Sequence, residues 1–453
     1  MTQCTQSSFE FEAHFRREVV ASFDGGALTS DAGALLLRQV DRRMGFLRRL
    51  AACFTDFRSP WLTQHGVEQM LAQRVYGLAL GYEDLNDHDQ LRHDPLMRVL
   101  AGRQKPDQPL ASKSTLCRLE RTPTVGAERD RYQKVRYDAE AIDRVFLDVF
   151  MDAHPEAPDE VVLDLDVTDT PLHGCQEGRF FHGFYDEYCY LPLYIFCGDQ
   201  RLAVRLREAN QDASAGSLDE VQRIVLRLRN RWPKLKVTLR ADSGFCREEL
   251  MRWCEENRVE FVFGLARNDR LRRRIGKAMR RAKAEAKRTG RAARVFTEFR
   301  YRTRQSWSRA RRVVAKAEQT EGKENPRYVV TSLGVSALRP RALYEDLYCA
   351  RGEMENRIKE QMLLFADRMS AETMRANQLR LYLSAAAYVL VEALRRRALK
   401  GTEMAEAQVN TIRLRLLKIG ARIRFTARRV VVSMAGGYAW QGLFGHAWKA
   451  LRT

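Results

Sequence analysis

Residues 161–169 read Val-Val-Leu-Asp-Leu-Asp-Val-Thr-Asp, a run in which apolar and acidic side chains alternate. In a strand, alternate residues share a face. Val161, Leu163, Leu165 and Val167 therefore point one way, and Asp164, Asp166 and Thr168 the other. Two carboxylates on one face repel unless a cation lies between them. One reading leaves both solvated on an exposed sheet face. The apolar flank favours another, a central strand whose acids are gathered for use.

Outward from this strand the periodicity alternates between two and three-to-four. Strands are expected near 190–197 and 201–207, joined by the turn Gly198-Asp199-Gln200. A helix begins at Ser217, with Ser217 and Glu220 as a capping box, and ends before Pro233. A strand over 236–242, a helix over about 247–257 and a strand over 259–265 follow, and a long helix starts near Ala342. This is the element order of a ribonuclease H-like fold: an α/β mixed-sheet core, interrupted before its last helix.

The interruption, 268–337, is basic and rich in strand-like stretches, at 295–301, 311–317 and 327–332. The first 150 residues read mostly helical, over Ala32–Arg49, Val67–Leu80 and Ala139–Phe150, with loops at Gln104–Pro106 and Thr122–Thr124. His154-Pro155-Glu156-Ala157-Pro158 reads as a linker. The expected division is a helical N-terminal domain (1–150), the core's first part (151–267), the basic insertion (268–337), the core's last helix (338–372) and a helical C-terminal domain (373–453) with one strand-like run, Val430–Val432.

A formal net charge of +20 over 453 residues, with a pI near 9.8, favours polyanionic partners. Arg270–Arg294 alone holds twelve Lys or Arg and one acid, Glu285. Such a run is either a solvated helical face or a phosphate-neutralising surface. Nine cysteines without a C-x-x-C pair indicate neither a zinc ribbon nor a disulfide framework. The apolar run Leu381–Val391 is too short to span a bilayer and reads as a buried helix. No basic-then-apolar leader opens the chain, so a soluble, cytoplasmic protein is expected.

Two further acids match Asp166. Asp242 ends the strand in KVTLRADSGF (236–245), either capping the next helix or standing at a strand end where α/β sites are built. Glu355 lies in YCARGEMENRIKE (348–360). At 100° per residue Tyr348, Arg351, Glu355 and Lys359 form one stripe, beside an apolar stripe of Leu347, Met354, Ile358 and Phe365. The plain alternative is a surface ladder of ion pairs worth tenths of a kcal/mol each, roughly.

Together, DLDVTDTPLHG, RADSGF and YCARGEMENRIKE resemble the signature blocks of bacterial insertion-sequence DDE transposases, in the branch with a Tyr-x-x-Arg-x-x-x-Glu motif, here Tyr348, Arg351 and Glu355. More narrowly they resemble the group numbered thirteen-eighty, whose opening is similar to ASFDGGALTSDAGALLLRQVDRR (21–43). The resemblance implies a cut-and-paste recombinase with Asp166, Asp242 and Glu355 as catalytic and metal-holding triad, with Asp164 and Asp169 as alternates for the first acid. It implies two Mg²⁺ ions, with Mn²⁺ as an alternative. Its expected partner is double-stranded DNA, as terminal inverted repeats and target, bound by a homodimer at the nucleoid, with no membrane partner. Tyr348 and Arg351 would hold the scissile phosphate. The branch places a Lys seven residues after the Glu. Here that position is Met362, with Lys359 and Glu360 nearby.

In related transposases a β-rich insertion at this place supports hairpin formation, which makes Trp307, among Arg304, Arg309 and other arginines, the candidate base-stacking residue; the alternative is a core tryptophan. Asp84, Asp87, His88, Asp89, His93 and Asp94 lack tight ligand spacing and read as a polar surface rather than a metal cluster. His173 and His182 read as packing. Arg395–Arg397 and Arg422–Arg429 fit DNA contact or dimer packing equally. Two other readings stay open: a structure-specific ribonuclease H-like nuclease, and a non-catalytic DNA-binding protein derived from a transposase.

Overall fold

Alternation in the 161–169 run places its apolar half against helices and its acidic half on the opposite side of a sheet. The computed structural model of the chain describes residues 8–103, 107–123 and 133–452; the loop expected at 104–106, and Thr124 of the next, lie outside them. The chain divides into two units: residues to Asp138 with 363–365 and 386 onward, and Ala139–Met362 with Ala366–Ala385.

The second unit opens with helix α1 (Ala139–Asp152) and strand β1 (Glu160–Val167). Short strands β2 (Thr170–Pro171), β3 (Phe180–His182) and β4 (Glu187–Tyr190) form a separate flap sheet. Then come β5 (Leu193–Cys197), β6 (Gln200–Arg205), α2 (Ser217–Arg231), β7 (Lys236–Ala241), α3 (Glu248–Glu256) and β8 (Glu260–Leu265). Helices α4 (Asp269–Arg274) and α5 (Gly276–Thr289) precede β9 (Ala293–Tyr301), β10 (Arg311–Thr320), β11 (Lys323–Glu324) and β12 (Arg327–Thr331). The nine-stranded sheet runs β6-β5-β1-β7-β8-β12-β10-β9, with β11 on β10. β7 is parallel to β1 and to β8, and every other neighbour is antiparallel.

Period-two alternation decides which face each residue takes. Val161, Leu163 and Leu165 of β1, Val237, Leu239 and Ala241 of β7, and Phe261 and Phe263 of β8 join one core with Val221, Ile224 and Leu228 of α2 and Leu250 and Met251 of α3. Val262 faces the other way and packs with Leu343 and Tyr344. The acids of β1 and the polar Thr238 and Arg240 of β7 fall on that second face by the same rule.

Three sequence expectations are corrected here. The Ser217–Glu220 capping box does not form: Gly216, at φ 69°, occupies the N-cap, Ser217 Oγ donates to Ser214 O, and Glu220 accepts from Arg205 and Arg223. Tertiary ion pairing outcompetes the local cap. The helix near Ala342 is a succession: an α-turn at Pro340–Ala342, a π-helical stretch Leu343–Tyr348, a 3₁₀ turn Cys349–Arg351, then α6 (Gly352–Met362). Phe365 lies beyond it, at φ 66°. The segment 268–337 does not stand apart, because β12, β10 and β9 continue the central sheet from β8.

In the first unit, N- and C-terminal segments fold together, since Leu28–Thr29 pairs with Ala421–Phe425, which pairs with Val430–Met434. The terminal parts are therefore not purely helical, and an exposed hairpin, Ser8–His14 with Arg17–Ser22, precedes them. Gly45, left-handed at φ 58°, divides the helix expected over Ala32–Arg49. In the DAG of the N-terminal block, a β-carbon on Gly33 would stand 1.8 Å from Leu416 O, and buried Asp31 accepts from Tyr82 Oη and pairs with Lys418. Asp31 and Gly33 of that block are thus packing residues. α1 belongs to the second unit, with Leu147 and Phe150 in the core, and residues 386 onward of helix α7 (Met374–Ala398) belong to the first. Leu381–Val391 within α7 is buried, and no helix among the described residues is long and apolar enough to cross a membrane.

Candidate active site

Asp164 and Asp166 share a face and are both buried, yet their surroundings differ. Arg240 on β7 lies directly opposite Asp164 and grips both its oxygens, at 2.5 and 2.7 Å. The same guanidinium donates to Leu347 O at 2.7 Å, tying β1, β7 and the π-helical stretch together. Burial still pushes the Asp164 carboxyl up, against the pull of Arg240. With its lone pairs engaged, Asp164 is a structural acid.

Asp166 lies two residues along, near the end of β1. One oxygen accepts from its neighbour Val167 N at 2.9 Å and the other from Arg351 Nη1 at 3.0 Å. Burial pushes it up to about 6; Arg351 pulls against this, while Asp242 and Glu355 add to it. Extending the parallel register of Arg240 opposite Asp164 by two residues brings Asp242 level with Asp166. Asp242 caps the 3₁₀ turn Ser243–Phe245 by accepting from Gly244 N at 2.8 Å. The capping reading of this acid is therefore met, and its charge also bears on Asp166.

The helical stretch supplies the third wall. Tyr348 lies over Gly264 of β8, where a β-carbon would stand 2.7 Å from its phenol oxygen and 2.8 Å from Ser243 N. Only glycine permits this approach, and Gly264 is the site residue that sequence reading missed. A glycine ending an apolar strand was its only signal. Burial raises the Tyr348 phenol pKa, Arg351 opposing and Asp242 assisting. Arg351 is the centre of the arrangement: besides Asp166 it reaches Glu355 Oε1 at 3.1 Å. Its guanidinium is held charged despite burial by Asp166, Glu355 and Asp242. Glu355, on the first turn of α6, is half-exposed.

Carboxylate oxygens are the ligands that hard divalent cations take, and the unneutralised charge around Asp166 is what such a cation would relieve. The donor set fits. Among the described residues, however, no three His, Cys, Asp or Glu side chains are grouped closely enough to hold one ion together. Arg351 lies between Asp166 and Glu355.

The remaining candidates fall outside this cluster. Asp169, in the turn between β1 and β2, interacts with Glu187 of β4 and faces the flap. Lys359 is exposed on α6, Glu360 is buried against Arg357, and Met362 ends the helix. Trp307 is only 4% exposed, wedged edge-on to Tyr301 with Arg311 over its ring. It is a core residue of the β9–β10 end of the sheet, and a ring so enclosed has no free face for a base. Arg304 is exposed, and Arg309 pairs with Glu255 at 3.2 Å. All twelve cations of 270–294 are exposed, outward from Leu271, Ile275, Met279 and Ala282 in the core or buried beneath them. His88 is buried, which together with the nearby Arg74 cation lowers its pKa to about 3, and its two ring nitrogens lie against Gln73 and Arg74.

None of the curated proteins matches this chain. Among solved structures, the cryo-EM structure of a piggyBac transposase synaptic complex with hairpin DNA is similar with a TM-score of 0.41 and 11% identity, over 86% of this chain and 80% of that one. The family model described as transposase DDE domain group 1 matches residues 11–453. That match runs through every strand and helix that carries Asp166, Asp242, Arg351 and Glu355, and the chain belongs to the DDE transposase family.

Proposed function

We propose that this protein cuts DNA at the ends of a mobile element and joins them to target DNA by divalent-metal phosphoryl transfer, in a cut-and-paste sequence. The observation that carries the reading is Arg351 held on Asp166 and Glu355 with Asp242 at the adjoining strand end. The strand order, three antiparallel strands continued by two parallel ones, supports a ribonuclease H-like core.

Asp166, Asp242 and Glu355 would hold two Mg²⁺ ions, or Mn²⁺, whose chemistry is to activate an attacking oxygen and stabilise a leaving one. The chain's own residues do the rest. In the first step water adds to the scissile phosphorus as the DNA 3′-oxygen leaves with a proton. In the second that 3′-hydroxyl attacks a target phosphorus and displaces a new 3′-oxygen. Arg351 releases Glu355 when a scissile phosphate offers its guanidinium two oxygens in place of two carboxylates. Tyr348, fixed over Gly264, sets the edge of that phosphate position. Lys359, Arg304, Arg309 and the cations of 270–294 contact the DNA backbone, so binding weakens steeply with salt. Holding two element ends requires a homodimer on DNA, and a bacterial nucleoid is the expected setting.

Replacing Glu355 with Ala abolishes Mg²⁺-dependent cleavage of a duplex carrying the inverted repeat beside the gene, while leaving its binding nearly intact. Retained cleavage overturns the triad. A pre-cut end offered with target DNA then divides the activities: joined product supports transposition, whereas cutting without joining leaves a nuclease.

A further inference from the structure

The flap formed by β2, β3 and β4 leaves the sheet at the end of β1 that bears Asp166. It returns as β5, where Leu193 pairs with Val167 and Tyr194 with Asp166. Its hairpin turns over Gly183–Asp186 between the paired His182 and Glu187. The turn is fixed: Tyr185 N and Asp186 N both donate to His182 O, and Asp186 takes the left-handed conformation at φ 59°. Tyr185 points inward and, with Val167, packs on Cys189, Leu191 and Ala209. The next ring outward is Phe184, edge-on to Tyr185 at 5.1 Å between centroids and 84% exposed.

Single exposed apolar side chains are ordinary. This one shares its hairpin with Phe181, 52% exposed, and Tyr188, 47% exposed; the hairpin pairs with Thr170–Pro171 of β2, and its Cys189 packs with Val167, the neighbour of Asp166. Asp186 and Glu187 beside the tip repel phosphate, so a DNA strand would meet the tip with a base rather than its backbone. An aromatic face accepts any base, and a base next to a cut is readily taken out of the stack.

We infer that Phe184 is the residue on which a DNA base flanking the scissile phosphate stacks, holding the strand over Asp166 and Asp242. This rests on the DNA-cutting reading above and gives Phe184 a positioning role, with no part in bond making. It moves the stacking function from Trp307, which is enclosed, to a ring that is open and adjoins Tyr185, whose side chain shares a small core with Val167.

The test uses the full chain and the inverted-repeat duplex, with 5-iodouracil replacing the base on each side of the cut in turn. Irradiation in EDTA, where nothing is cut, should crosslink one position to Phe184, located by peptide mass spectrometry. Phe184→Ala should lose that crosslink and bind the duplex roughly ten-fold more weakly. Phe184→Trp should keep both, which separates stacking from damage to the hairpin. A crosslink at Trp307, or unchanged affinity and crosslinking elsewhere in Phe184→Ala, overturns the inference while the wild type still cuts in Mg²⁺. A wild type that cuts none of these duplexes in Mg²⁺ fails the functional reading itself, and the inference with it.

Discussion

Strand β1 holds two buried acids two residues apart, and the regions around them have opposite characters. At Asp164 the strand is sealed: Arg240 supplies two bonds to the carboxylate, between side chains that are both less than a tenth exposed, and one to Leu347 O. At Asp166 it is open, with one arginine shared between two acids and a third acid level with it. The same residue type on the same face of the same strand is fully paired in one place and shares its cation in the other. What separates them is the number of cations provided, one arginine per acid against one arginine for three.

The largest effect should come from unsealing the first region. Arg240→Ala leaves Asp164 buried without this partner and removes a donor from Leu347 O, and should cost about 3–5 kcal/mol in urea unfolding. The double replacement Arg240→Met with Asp164→Leu removes both charges and should recover most of that loss. If the single change costs less than about 1 kcal/mol, the contrast between the regions is wrong.

A smaller effect of opposite sign is expected at Asp166. Its carboxyl sits at about 6 in the fold, above the ordinary aspartate value, so the folded chain holds the proton more tightly than the unfolded one. That contribution is complete at pH values below about 4 and is lost as the pH rises through about 6. Asp166→Asn should therefore stabilise the metal-free protein by on the order of 1 kcal/mol at pH 7, and the gain should vanish near pH 4. Thermal unfolding across that range measures it, and a variant less stable at pH 7 would contradict the open character of this region.

The smallest effect should be at Glu355. Its pair with Arg351 is half-exposed, so Glu355→Gln should change stability by only about 0.5 kcal/mol or less. Combined with the cleavage loss expected at this position, such neutrality would mark an acid kept for chemistry. A loss of several kcal/mol would make it structural, like Asp164.

The sequence alone determined the alternation in 161–169, the order of the central-sheet strands and the helices between them from 161 to 265 (though not the flap strands β2, β3 and β4), and the acids that end β7 and enter α6, because period and local turn chemistry are properties of neighbours along the chain. It also carried the family signature. Tertiary structure decided what neighbours cannot encode. Asp164 and Asp166 are identical to a period of two, and only the cross-strand register that sets Arg240 against one of them tells them apart. Trp307 is surrounded by arginines in sequence, yet Tyr301 and Arg311 close over it in space. The capping box at Ser217 yielded to Arg205, a partner from another strand. The stripe through Tyr348 and Glu355 assumed one helical pitch where the backbone uses three. Local pattern fixes which way a side chain points; what it meets there depends on residues far along the chain, and the charge state of a buried acid depends on that meeting.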